Sequence, residues 1–218
     1  MHLPRKLKAA GAAVLFATAF LLSTDELLGE IRYSLFRSLG YHSHSSKLAL
    51  VRPIPPGGGQ ALLESFDLWD PHWPCSSKGL DYQVDLFISF SRTLDRSEHP
   101  GDVEALEKLK SKFEAHGGWN NCVSRLHVIE IDIAPEMDIY EKADEQKNPM
   151  WVNGPNEQFR KTLREIMTMT RSDQQGREVA EYEIVYNMEA DARPNKWGWL
   201  DSIQKEIKEE APFAILGR

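Results

Sequence analysis

The sequence predicts an α/β domain with a mostly parallel sheet and flanking helices, and three observations carry that expectation. Short apolar, β-rich runs recur at 82–90, 126–133, 183–188 and 212–216. Segments of helical spacing separate them, which is the alternation that makes parallel sheets. Of 218 residues, 41% are hydrophobic and 27% charged, enough apolar side chains for a packed core.

Taken in order, Tyr82-Gln-Val-Asp-Leu-Phe-Ile-Ser-Phe90 is a buried strand. A helix over 102–116 carries Val103, Leu106, Leu109 and Phe113 inward and stops at Gly117-Gly118. Leu126 to Ile133 is the next strand. Gly154-Pro155-Asn156 opens a second helix, with Phe159, Leu163, Ile166 and Met167 as its expected inner face. Glu183 to Met188 is a third strand, and Trp197 to Glu210 a third helix with Leu200, Ile203 and Ile207 inward. Pro212 to Leu216 reads as a fourth strand. Right-handed crossovers place ligands at the carboxyl ends of such strands.

Upstream the texture differs. Arg5, Lys6 and Lys8 precede an uncharged apolar run from Ala9 to Leu22. A basic flank before such a run is a membrane-targeting signal with the basic side in the cytosol. The run is shorter than the roughly 20 residues of a spanning helix, and Ala17-Thr18-Ala19 is a poor cleavage site inside it. The reading is an uncleaved signal anchor, with a cleaved signal peptide and secretion as the alternative. Residues 1–24 are then cytosolic tail and anchor, 25–64 a stem, and 65–218 the folded domain. A helix is expected over Glu26 to Leu39, and the tract VRPIPPGGGQ reads as flexible stem. Gly57-Gly58-Gly59 has no following Lys-Ser/Thr and no evident preceding strand, so it does not read as a phosphate loop. In an oxidising lumen Cys75 and Cys122 can pair, although spacing leaves open whether their Cα atoms approach closely enough. There is no N-x-Ser/Thr acceptor to support a lumenal location.

With 26 Lys and Arg against 33 Asp and Glu, the net charge is −7. Such a surface repels phosphate backbones, so nucleic acid is not an expected partner. No HExxH, G-x-S-x-G or Walker lysine loop is present, and two cysteines exclude a four-cysteine zinc site. His116 and His127 read as a helix-end and a strand residue rather than metal ligands.

The pattern that carries chemistry is Met188-Glu189-Ala190-Asp191-Ala192-Arg193-Pro194, just beyond the third strand. In extended backbone Glu189 and Asp191 share one face. Two adjacent carboxylates need a cation between them, and a hard ion such as Mn²⁺ or Mg²⁺ with positions open to diphosphate oxygens suits the pair. A solvated turn at a strand end is the plainer alternative.

The stretch YEIVYNMEADARPNKWGWLDSIQKEIKEEAPFAILGR, with Pro74-Cys75, the strand Val84 to Phe90 and Gly154-Pro155-Asn156 before it, resembles GT-A nucleotide-sugar transferases of the algal and protist type II membrane group. The likeness covers about residues 65 to 218. It implies a Golgi-lumenal, single-pass type II glycosyltransferase that uses a nucleoside-diphosphate sugar and a divalent metal. The acceptor would be a glycan or glycoprotein. The resemblance assigns Asp191 to the metal and Glu189 to the metal or to the donor's ribose or sugar. It places Ser89, Ser91 and Arg92 at the nucleotide base and Asn156 among the donor-binding residues; Arg160 and Arg164 on the same helix either reach the diphosphate, where arginine suits bidentate contact, or are solvated surface charge. Trp197 and Trp199 could stack a sugar, with Trp199 reading better as core. About 27 residues follow Asp191, so the domain reads as incomplete at its C-terminus. A non-catalytic lumenal protein that binds nucleotide sugars or carbohydrate is the alternative function, and a secreted interaction protein a third.

Overall fold

The computed structural model describes residues 47–69, 72–76, 82–115, 122–138, 153–189 and 192–210. The expected anchor, the helix over 26–39 and the strand over 212–216 lie outside these residues. No helix among the described residues is long and apolar enough to cross a membrane.

Strand β1 (Lys47–Ile54) is followed by helix α1 (Gly59–Asp67), β2 (Gln83–Phe90), α2 (Pro100–Ala115), β3 (Arg125–Glu130) and α3 (Asn153–Thr168). A short hairpin of β4 (Thr170–Ser172) and β5 (Glu178–Ala180) leads to β6 (Ile184–Asn187) and α4 (Trp199–Glu210). The main sheet has the order β3-β2-β1-β6. Every pairing in it is parallel, as the alternation of runs predicts.

The stem expected at 25–64 is corrected from Lys47 onward, because Lys47–Ile54 is an interior, almost wholly buried strand of the sheet. It pairs with β2 on one side and β6 on the other, and Leu48, Ala49 and Leu50 are wholly buried. The proline-glycine tract after it is a βα turn, with Gly57 at φ 75° and the Gly58 N–H donating to Pro55 O at 3.0 Å. Gly59 then starts α1 where only a hydrogen fits. A Cβ there would lie 2.8 Å from the Ala105 Cβ and 2.9 Å from the Asp102 Cα of α2.

Alternation along each strand divides the core into two layers. On one face Ala49, Val51, Phe87 and Ile129 pack with Ile166 of α3 and with Tyr182. On the other, Leu48, Leu50 and Ile54 alternate with them, toward the side where Arg52 meets α1. There Trp69 meets Phe66 with ring centroids 4.4 Å apart and Trp199 edge-on at 5.2 Å.

The inner face of α3 differs from the expected one. Gly154, Gln158, Thr162 and Ile166 are its buried residues, while Phe159 is 45% and Met167 55% exposed. The helix is rotated because the sheet offers it polar partners. Gln158 Nε2 donates to Ile54 O at 3.2 Å and Ser89 O at 2.7 Å, and the Thr162 and Ser89 hydroxyls lie 2.6 Å apart. Buried polar groups with partners cost little.

Candidate functional site

Chain order reverses between β1 and β6, since β2 and β3 continue the sheet on one side of β1 and β6 lies on the other. In open parallel sheets the crevice that takes a ligand lies beyond the carboxyl ends of the strands at such a reversal. The segment running out of β6 into this crevice is Met188 to Ala192.

Consecutive residues of β1 hold both ends of that segment. Val51 O accepts from Met188 N at 2.8 Å, and Arg52 Nη1 donates to Ala192 O at 2.9 Å. Arg52 Nη2 donates to Ser65 Oγ of α1 at 2.7 Å, and the guanidinium lies over the Phe66 ring at 6.0 Å. Arg52 is 0% exposed, so this cation is enclosed between the sheet and α1.

Ala192 N donates to Glu189 O at 3.0 Å. Glu189 is exposed at the crevice, and Asp191 lies outside the described residues.

The turn after β1 is closed from within. The Asp102 carboxylate of α2 accepts from Gly57 N at 2.9 Å and Gly59 N at 2.8 Å. A strand does precede the three glycines, but an internal carboxylate occupies the anion position at the start of α1. Beside it an open groove of about 390 Å³ runs between α1 and α2, lined by Gln60, His99, Glu104 and Lys108 among others.

Ser89 is fully buried with its hydroxyl engaged by Thr162, so it faces α3 rather than the crevice. Ser91, two residues on, is also buried, and its Oγ has no hydrogen-bond partner among the described residues. It lines a narrow cleft with Pro55, Pro56, Arg92 and His99. Arg92 is half-exposed and paired with the buried carboxylate of Asp138. Asn156 stands exposed in the first turn of α3. Arg160 is exposed and held by Glu157 through bonds of 2.9 and 2.6 Å. That hydrogen bond keeps the Glu157 carboxyl below its ordinary range. Arg164 is exposed on the same helix.

Trp197 is 60% exposed, while Trp199 is core, as expected for a residue next to Leu200. Gly198 N donates to Trp73 O at 2.8 Å, which sets a second exposed tryptophan, at 46%, beside the first along the chain path. Sequence reasoning passed over Arg52, Gln158 and Asp102. Charge and polarity made them look like surface, and only the partners they meet explain their burial.

No group of three or more His, Cys, Asp or Glu side chains that could hold a metal occurs among the described residues. The β6 loop contributes Glu189, with Asp191 two residues on. One or two carboxylates, with substrate phosphates and water supplying the rest, is the donor set Mg²⁺-like ions use.

Fold and site together define an α/β protein of the parallel-sheet, Rossmann-like kind, with an acid-bearing loop at the switch point of its sheet. No protein family, curated protein or solved structure matches the chain.

Proposed function

We propose that this chain carries the donor-binding half of a metal-dependent glycosyltransferase. It would move a sugar from a nucleoside-diphosphate donor to a glycan or glycoprotein acceptor in the secretory lumen, anchored in the Golgi membrane through its N-terminus. The observation that supports this best is the tethering of both ends of the Met188–Ala192 segment to β1, at the crevice where α/β sheets bind ligands. The Cys75–Cys122 disulfide, with Cα atoms 5.5 Å apart, suits an oxidising compartment.

In this reading Glu189 and Asp191 hold a Mn²⁺ or Mg²⁺ ion, which supplies charge neutralisation for the departing diphosphate. Ser91 and Arg92, at the end of β2, take the nucleotide base side, and Ser91 Oγ is free to accept or donate. Arg160 and Arg164 approach the diphosphate from α3, and Arg160 must exchange Glu157 for phosphate to do so. Ser89 has no part in donor binding, because Thr162 occupies its hydroxyl.

Calorimetric titration with Mn²⁺ and a panel of nucleoside-diphosphate sugars tests the reading. The expected result is metal-dependent binding that EDTA abolishes and that Asp191→Asn and Glu189→Gln each weaken strongly. Binding indifferent to EDTA and to both substitutions would remove it.

A further inference from the structure

The geometry points to Arg52 as the positioning residue for the acidic loop. Its buried guanidinium holds the Ala192 carbonyl, the downstream end of the loop that opens with Glu189. The inference rests on the proposed role of that loop for its functional meaning, but the tether itself is independent of it.

A wholly buried cation is an expensive choice for a β-strand position that alternates with Leu48, Leu50 and Ile54. A methionine or leucine would fill the same layer, and replacing buried charges by apolar groups is often neutral or stabilising. Core packing alone therefore does not account for arginine here. The guanidinium's planar fork does: Nη1 reaches Ala192 O at 2.9 Å while Nη2 is fixed on Ser65 Oγ at 2.7 Å. Ser65 Oγ also lies 3.5 Å from Ala192 O, so helix, strand and loop meet at one carbonyl. That carbonyl follows Asp191 directly in the chain. The loop's other end is held by Val51 O, an ordinary backbone contact that any side chain would preserve. Arg52 is thus the part of the tether that depends on residue type. A lysine carries the charge and has donors enough for both oxygens, but its flexible stem lacks the planar fork that fixes their geometry.

The test compares wild type with Arg52→Met and Arg52→Lys by amide hydrogen exchange across residues 188–193, and by electron paramagnetic titration with Mn²⁺ alone. Folding is checked by circular dichroism. Loss of a charged hydrogen bond corresponds to about a tenfold effect. Exchange at Ala192, whose N–H bonds to Glu189 O, should quicken about tenfold in Arg52→Met while amides of β2 stay protected. Arg52→Lys should fall between the two. Mn²⁺ affinity should weaken by a similar factor. If Arg52→Met does not fold, Ser65→Ala removes the hydroxyl that fixes Nη2 and should give a smaller increase, about threefold, in the same amides. A folded variant with wild-type exchange at 188–193 would overturn the inference. Wild-type protein that binds no Mn²⁺ would count against the proposed function, while the exchange comparison would still decide the tether.

Discussion

Tyr182 donates its hydroxyl hydrogen to Asp85 Oδ2 at 2.9 Å, reaching across β1 to a fully buried carboxylate on β2. The strand between them presents Ala49 at this level, paired with Asp85 on one side and Val185 on the other, and its small side chain leaves the path open. The Phe87 ring stacks on His127 at 4.5 Å, and His127 Nε2 lies 3.7 Å from the same carboxylate oxygen. The network sits near the amino-terminal end of the sheet, opposite the crevice, and its chemistry is that of stability.

Burial by itself would push the Asp85 carboxyl up. The nearby His127 ring, the hydrogen bond from Tyr182 and the charge of Lys47 outweigh it and hold the group below its ordinary 3.8. A depressed native value means the ionised form favours folding. The contribution is complete above the unfolded value and is lost as pH falls through the lower native one. Tyr182→Phe removes one of the groups that depress it, so acid destabilisation should begin at higher pH. At neutral pH the substitution should cost about 1.5–3 kcal/mol, the range for a hydrogen bond to a charged group. Urea denaturation from pH 2 to 7 on both proteins checks it. Identical acid limbs would contradict the assignment.

The junction of α1 and α2 gives a second expectation. Asp102→Ala leaves the Gly57 and Gly59 amides without their acceptor, at about 1–3 kcal/mol for the buried Gly59 donor. Gly59→Ala drives a Cβ to 2.8 Å from both Ala105 Cβ and Asp102 Oδ1, an overpacking that should cost about 1–3 kcal/mol. Because one clash is with the carboxylate that Asp102→Ala deletes, the double variant should lose less than the sum. Thermal denaturation of the three variants measures that coupling.

The contrast between neighbouring residues of α3 yields a third. Gln158→Ala should destabilise by about 1–3 kcal/mol, through loss of its two buried hydrogen bonds. Phe159→Ala, at a 45% exposed position, should cost under about 1 kcal/mol. The opposite ranking in urea denaturation would restore the inner face that hydrophobic spacing predicts.

That contrast also shows where sequence reading stops. The runs at 82–90, 126–133 and 183–188 were legible because buried parallel strands are continuously apolar. β1 was hidden because KLALVRPI places a lysine, an arginine and a proline around its apolar centre. The Lys47–Glu181 and Arg52–Ser65 partners that make such burial tolerable come from distant parts of the chain. The β4–β5 hairpin is three residues a side, too short to show alternation. Its signal was Asp173-Gln-Gln-Gly176, where Asp173 accepts from two backbone amides and Gly176 takes φ 76°. At the site, the acidic pair was visible as a motif, but the Arg52 tether on Ala192 O, from a residue 140 positions away, was not.

The disulfide supports the last prediction. Cys75 and Cys122 close a loop of 47 residues, and restricting the unfolded chain by that much corresponds to about 4 kcal/mol. The bridge also anchors a small brace. Ser76 N donates to Asp201 Oδ2 and Leu200 N to Pro74 O, each at 2.8 Å, so the segment beside Cys75 holds the start of α4. Reduction, or Cys75→Ser with Cys122→Ser, should therefore lower Tm by roughly 8–16 °C for a protein of this size. It should also raise hydrogen exchange at Gly198 and Leu200 before the β1 and β2 amides are affected. The sheet has its own ladder on either side of β1 and does not depend on the bridge. Uniform loss of protection across α4 and β1 would mean that the disulfide holds the core itself rather than this edge.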